Sequence, residues 1–120
     1  MTMTFHELCD EVKKNVKEIT IDDLKKMQAQ NENFKLFDTR EESEFNAGRI
    51  KNSRHLGKGI IERDIHKYAD GYNDKIVLYC GGGYRSALAA DNLQKMGYTN
   101  VLSLDGGWRR WTESNGETEG

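Results

Sequence analysis

The stretch Ile76-Val77-Leu78-Tyr79-Cys80-Gly81-Gly82-Gly83-Tyr84-Arg85-Ser86 decides how this 120-residue chain is read. Ile76 to Tyr79 is an apolar, β-rich run bounded by Asp74 and a glycine cluster, the pattern of a buried strand. Ser86 to Met96 carries Ala87, Leu88, Ala90 and Leu93 at helical spacing and is closed by Gly97. A strand that turns through glycines into a helix suits an open α/β sheet, where ligands bind just beyond the carboxyl ends of strands. Three consecutive glycines can adopt backbone angles closed to other residues, so their N–H groups can turn inward around one point. Such a nest favours an anion, and the helix beginning near Ser86 adds its positive end. A cysteine at its mouth is expected to exist largely as thiolate near pH 7, the nucleophilic form of sulfur. Arg85 adds a cation that favours both a thiolate and an anionic substrate. The plain alternative is a glycine turn beside a cysteine that merely packs.

Working outward, short apolar runs alternate with helical ones. Phe5, Leu8, Cys9, Val12 and Val16 recur at spacings of three and four, which predicts an amphipathic first helix with Cys9 in its core-facing stripe. Glu18 to Thr20 reads as a short strand. Thr20 and Asp23 form an N-cap signal for a helix carrying Ile21, Leu24 and Met27. Phe34 to Phe37 reads as a strand ending at Asp38, and Glu41 to Ala47 as a short helix closed by Gly48. A strand is expected around His55-Leu56, then a helix from about Gly59 to Tyr68. Val101 to Leu104 is the last strand, Gly106-Gly107 a turn, and Trp108 to Thr112 a final helix. This order predicts a mainly parallel sheet covered by helices on both faces. Residues 1–17 are expected to be an N-terminal helical extension packed on a domain of residues 18–112. Residues 113–120 are expected to be a polar tail that frays.

Composition narrows the function classes. Hydrophobic residues make up 36% and charged residues 32%, and the net charge of −2 carries no global basic field for nucleic acid. Ile76 to Cys80, the longest apolar stretch, is far short of the roughly 20 residues that span a bilayer, so no membrane partner is expected. Met1 to Glu7 lacks the basic and apolar blocks of a secretory signal, which points to the cytoplasm, where Cys9 and Cys80 stay reduced. His6, His55 and His66 are scattered without metal-ligand spacing, so no metal is expected. Arg49, Lys51, Arg54 and Lys58 form a basic stretch in a chain with no proline, read as a solvated surface run.

Three ordered blocks resemble the rhodanese family. Cys80 to Arg85 followed by Ser86 looks like its active-site loop, a cysteine and an arginine separated by four residues. Asp38-Thr39-Arg40-Glu41, Glu44-Phe45 and Gly48-Arg49-Ile50 resemble its first signature. Met96-Gly97-Tyr98, Val101, Leu104 and Asp105-Gly106-Gly107-Trp108 are similar to its closing one. The resemblance covers roughly Glu18 to Trp111. It implies a doubly wound fold around a five-stranded parallel sheet, and the activity of a single-domain thiosulfate sulfurtransferase.

The resemblance also implies a mechanism. Cys80 would take sulfane sulfur from thiosulfate or a persulfide donor and pass it to cyanide or a thiol, with no metal or organic cofactor. The amides of Gly81, Gly82, Gly83, Tyr84 and Arg85 would stabilise the terminal sulfur, with Ser86 beside them and Tyr84 lining the mouth. Arg85 would stabilise charge and brace the loop, with Asp38 or Glu44 as its carboxylate partner. Arg40 is equally readable as scaffold. Related phosphatases of this fold place five residues between cysteine and arginine, so a four-residue loop should be too tight for phosphate. A sulfur-relay protein would serve as macromolecular partner. The alternatives are a non-enzymatic rhodanese-like module that binds a partner protein, and a persulfide carrier fed by a cysteine desulfurase.

Overall fold

Ile76–Tyr79 is buried throughout and sends its side chains alternately into two apolar layers. Ile76 and Leu78 enter one, and Val77 and Tyr79 the other, as the period-two geometry of a strand requires. The computed structural model describes residues 2–120; Met1, the first residue of the expected extension, lies outside the described residues. In chain order the elements begin with α1 (Phe5–Lys13), β1 (Lys17–Ile19), α2 (Ile21–Ala29) and β2 (Lys35–Asp38). There follow α3 (Glu42–Ala47), β3 (Arg49–Ile50), β4 (Arg54–His55) and α4 (Ile61–Asp64), the last continued by a 3-10 turn over Ile65–Lys67. The chain ends with β5 (Ile76–Tyr79), α5 (Tyr84–Lys95), β6 (Val101–Leu104), α6 (Gly107–Glu113) and β7 (Thr118–Glu119).

Five strands form one parallel sheet in the order β1-β6-β5-β2-β4, so the strand that carries Cys80 lies at its centre. Helices cover both faces, as expected. One layer gathers Leu78 and Ile76 with Ala89, Ala90 and Leu93 of α5, Ile61 of α4 and Val16. The other gathers Val77 and Tyr79 with Leu24 and Met27 of α2 and Trp111 of α6. Two helix starts are fixed by reciprocal capping. Thr20 Oγ1 accepts from Asp23 N at 3.1 Å while Thr20 N donates to Asp23 Oδ2 at 2.9 Å. Thr4 and Glu7 do the same at the head of α1.

Three expectations need correction. The stripe of α1 is buried only in part. Cys9 and Val16 are enclosed and Val12 is half-buried, but Phe5 and Leu8 are exposed. The helix packs on α5, and its first turn reaches only the start of that helix, where the Phe5 ring lies 6.2 Å from that of Tyr84 and stays half exposed. The helix after the glycines starts at Tyr84, two residues earlier than its apolar pattern implied. The tail does not fray: β7 pairs antiparallel with β3, with Ile50 opposite Thr118. Trp111 supplies the reason, because its buried indole N–H donates to Glu117 O at 3.0 Å, and Lys51 N donates to the same oxygen. An indole N–H in a core requires such an acceptor, which the polar composition of the tail gave no sign of.

Removal of residues 117–120 takes away that acceptor and the pairing of β7 with β3. Truncation after Gly116 is expected to lower unfolding stability by about 1–3 kcal/mol, read as a lower urea midpoint at nearly constant slope. An unchanged midpoint would show that water replaces Glu117 O at the indole without cost.

Candidate active site

Cys80 follows β5 directly and is 1% exposed. Its Sγ accepts the backbone N–H of Gly83 at 3.1 Å and lies 3.4 Å from the N–H of Ser86. Sγ in turn donates its thiol proton toward the Ser86 hydroxyl oxygen at 3.5 Å. The sulfur is therefore seated over the first turn of α5, where unpaired amides and the helix dipole present positive charge. Gly83 caps that helix with φ +96°, and a Cβ there would crowd Gly106 N and Leu104 O of the following segment. It is the only residue of the glycine triplet in the left-handed region. The turn therefore rests on one left-handed residue, not three, and of the triplet only the Gly83 amide reaches Sγ. The amides of Gly81, Gly82, Tyr84 and Arg85 make no hydrogen bond to Sγ or to any other group among the described residues.

The outer side of the loop is tied to α6. Trp108 N donates to Cys80 O at 2.8 Å and Arg109 N to Gly81 O at 3.0 Å. This approach depends on Gly107, at φ +52°, where a Cβ would collide with Cys80 O and contact the Gly81 backbone. The turn read at Gly106-Gly107 is thus a docking point for the cysteine loop. Sequence reasoning assigned it no such part.

The two arginines occupy different environments. Arg40 is 4% exposed, and its Nε and Nη2 bind both oxygens of the fully buried Asp38 at 2.7–3.0 Å. Its Nη2 also donates to Gly48 O at 2.6 Å, and the guanidinium lies 4.7 Å from the Trp108 ring centre. Asp38 is thus committed to Arg40. The carboxylate that faces Arg85 is Glu44, with Oε1 4.0 Å from Arg85 Nη2 and both side chains well exposed. The Arg85 guanidinium extends back over Gly81, 3.7 Å from where a Cβ would stand. Tyr84 points to α1, with its ring met edge-on by His6 at 5.1 Å and lying beneath Lys13 Nζ at 4.4 Å. Cys9 lies below, with Sγ 4.0 Å from Tyr84 O. Burial pushes the Cys9 thiol up from its ordinary range.

Ser103, which drew no functional notice in the sequence, belongs to this cluster. Its Oγ is 2.9 Å from Ser86 Oγ, and both serines are fully buried. The available signal was a lone hydroxyl inside the apolar strand Val101-Leu102-Ser103-Leu104, since a buried hydroxyl must find a partner. Beside the loop runs a cleft of about 430 Å³ whose lining includes Thr39, Glu41, His55, Lys58, Ile60 and Arg85.

With this geometry in place, a family model described as a rhodanese-like domain matches residues 20–114. The chain belongs to the rhodanese-like domain family. It is 36% identical over 90 residues to a putative mitochondrial thiosulfate sulfurtransferase of Schizosaccharomyces pombe, covering 65% of this chain and 63% of that protein. It is 30% identical over 105 residues to the putative sulfur carrier protein YrkF of Bacillus subtilis, covering 88% of this chain and 54% of that one. The chain thus spans somewhat over half the length of these curated relatives. Among solved structures, a Rhodopseudomonas palustris protein of unknown function, called a possible tyrosine phosphatase, superposes with a TM-score of 0.86. The two are 27% identical, and the match covers 99% of this chain and 96% of that one. No helix among the described residues of this rhodanese-like domain is long and apolar enough to cross a membrane.

Gly107→Ala tests the docking of the loop on α6. The left-handed backbone alone costs about 1–2 kcal/mol, and the collision with Cys80 O adds to it. Urea unfolding should show at least that loss. A variant as stable as the wild type would mean that the two backbones do not approach so closely.

Proposed function

We propose that this rhodanese-like domain is a sulfurtransferase that carries sulfane sulfur as a persulfide on Cys80. One observation carries the reading: Cys80 Sγ sits at the amino end of α5 with the Gly83 and Ser86 N–H groups directed at it. Backbone donors need no reorganisation when charge develops on sulfur. The thiolate attacks the outer sulfur of thiosulfate, the sulfur–sulfur bond of the donor breaks, and sulfite leaves with its electron pair. The new outer sulfur on Cys80 is anionic, and the amides of Gly81, Gly82, Tyr84 and Arg85 are the donors still available to it. A thiol or cyanide then attacks that sulfur, and Cys80 leaves as thiolate. Arg85 draws the anionic donor to the loop and offsets its charge. Ser86 supplies a hydroxyl to the cysteine sulfur. Asp38 and Arg40 shape the wall behind the loop without touching substrate, and Glu44 restrains Arg85. The mechanism calls on no cofactor.

The name of the fission-yeast relative supports thiosulfate as donor, and that of the Bacillus relative supports a second reading. In that reading the same persulfide is loaded by a partner protein and handed to another, with thiosulfate playing no part. The four residues between Cys80 and Arg85 favour either sulfur reading over phosphate-ester hydrolysis, because the ring of amides is small.

Incubation with thiosulfate, desalting and intact-mass measurement should show a gain of one sulfur atom, abolished in Cys80→Ser and retained in Cys9→Ser. A gain only with a cysteine desulfurase as donor would select the carrier reading. No gain from any sulfur donor would end both.

Loop size gives a separate expectation. Sulfite release from thiosulfate should far outpace hydrolysis of aryl phosphates, and a glycine inserted after Gly82 should weaken the first activity. The reverse preference in the unaltered protein would overturn the loop-size argument.

A further inference from the structure

The basic stretch Arg49, Lys51, Arg54 and Lys58 is dispersed by the fold into four different environments. Arg49 lies over the ring of Phe45, 4.6 Å from its centre, and donates to Phe45 O. Lys51 pairs with Glu117 at 3.1 Å on the clasp formed by β3 and β7. Arg54 lies 4.8 Å from the ring centre of Tyr68. Lys58 alone reaches the cleft beside the Cys80 loop. Its backbone N–H is held by Thr39 O at 3.1 Å, and Thr39 in turn donates from N and Oγ1 to Tyr79 O at the step into Cys80. Lys58 is half-buried as a residue, and its ammonium has no ion-pair partner among the described residues.

Arg85 borders the same cleft, and its own tie to Glu44 is long and exposed. Besides Arg40, which is committed to Asp38, two cations thus face a space of about 430 Å³ beside the sulfur loop. That space greatly exceeds the volume of a five-atom oxyanion and lies in the range of small organic ligands. Thr39, Ile60 and the His55 ring supply surface for the uncharged body of such a ligand. His55 is oriented by a 2.7 Å hydrogen bond from Nε2 to Arg40 O, and its ring rests 5.3 Å from that of Phe45. Glu41 and Glu42 also border the cleft and repel an anion, so a ligand's carboxylate is favoured only where Lys58 and Arg85 meet it, away from those two side chains.

We infer that Lys58 and Arg85 form a carboxylate subsite that holds the acid end of a low-mass organic thiol while its sulfur meets the Cys80 persulfide. This rests on the sulfur-transfer reading above and names the acceptor class for it. The acceptor thiolate attacks the outer sulfur, the sulfur–sulfur bond on Cys80 breaks, Cys80 leaves as thiolate, and the product is the acceptor's persulfide. No oxidant or reductant is required. An organic persulfide donor with a carboxylate would bind the same way, with the step run in reverse.

The test compares a charged and a neutral probe, so that intrinsic reactivity cancels. Cys80 is alkylated with iodoacetate and with iodoacetamide in parallel, in a Cys9→Ser background, and the ratio of the two rates is compared between variants. Lys58→Gln should lower the iodoacetate-to-iodoacetamide ratio about threefold or more, and Lys58→Glu further, whereas Lys58→Arg should retain it. Lys51→Gln removes an equal charge on the clasp and should leave the ratio unchanged. The effect should shrink as salt is raised. An acceptor assay then compares mercaptosuccinate with 2-mercaptoethanol on the persulfide form, and Lys58→Gln should erase the preference for mercaptosuccinate. A ratio that Lys58→Gln leaves within experimental error of the wild type, or lowers no more than Lys51→Gln does, overturns the subsite. The alkylation measurement needs no sulfur transfer. A Lys58-dependent ratio in a protein that never gains sulfur would retain the subsite and reject the transfer reading. A protein that gains sulfur with a Lys58-independent ratio would do the opposite.

Discussion

The loop's outward carbonyls are held by the first amides of α6, and the rest of the site depends on that tether. A trans peptide sets its C=O and N–H on opposite sides of one plane. Once Trp108 N captures Cys80 O and Arg109 N captures Gly81 O, the amides of Gly81 and Gly82 must point away from α6. Capping α6 and orienting the cysteine loop are therefore one set of hydrogen bonds. The first N–H groups of a helix need acceptors, the loop carbonyls need donors, and each satisfies the other. Gly107 makes the contact sterically feasible from below, and Gly83 brings the chain round to start α5. A conformation in which the amides faced outward would break both of these hydrogen bonds, one of them to the carbonyl of the buried Cys80.

A loop fixed only on one side would still rotate about that tether, and the second anchor is the pair of buried serines. Ser86 on α5 and Ser103 on β6 share a 2.9 Å hydrogen bond across the helix–sheet interface, while Ser86 also borders the cysteine sulfur. Around them the interface is made of alanines, Ala87, Ala89 and Ala90, whose small size lets α5 settle close to the central strands. Sequence, packing and chemistry meet at this point. Larger residues at those positions would lift the helix and carry the Ser86 amide away from sulfur. On the opposite face, Tyr79 turns its ring inward and ends in a hydroxyl that accepts from Ile50 N at 3.1 Å and meets Ser53 at 3.0 Å. Burial pushes that phenol's ionisation upward, so it remains a neutral hydroxyl bracing the segment between β3 and β4.

What could be read from the chain follows from the range over which each feature is determined. Strand β5 and the capping of α2 at Thr20 and Asp23 are local patterns and stand where the residues put them, and the helix after the glycines departs from its pattern only in starting two residues earlier. The cysteine, its glycines and Arg85 were legible because they are contiguous. Features that depend on partners distant in sequence were not. Ser103 lies 17 positions from Ser86, and its strand reads simply as apolar with one polar interruption. Glu117 and Glu119 read as part of a frayed tail because nothing near them indicates that Trp111 and Asn52 require acceptors. The first helix misled in a different way. Its period is correct, but periodicity tells which residues share a face and not how far along its length that face remains covered.

The contrast between Arg40 and Arg85 shows how burial divides the labour between two chemically identical groups. Arg40 and Asp38 are both buried, an arrangement made tolerable by the paired geometry, by a further Nη2 bond to Gly48 O and by the Trp108 ring against the guanidinium plane. The Nε and Nη2 edge of that guanidinium is taken up by Asp38 and Gly48 O, so an incoming anion could claim that edge only by breaking a buried pair. Removing either partner would strand the other as an uncompensated charge, which is why this pair works as framework. Arg85 sits at the opposite extreme. Its contact with Glu44 is 4.0 Å long and largely solvated, worth well under about 1 kcal/mol by the usual measure of exposed pairs. An anion arriving at the Cys80 loop therefore displaces little when it takes that guanidinium. The same reasoning extends to Lys58, whose ammonium meets no carboxylate at all within the described structure. Charges already neutralised by the fold build the site, and the ones left loosely held around its mouth are free to choose what enters it.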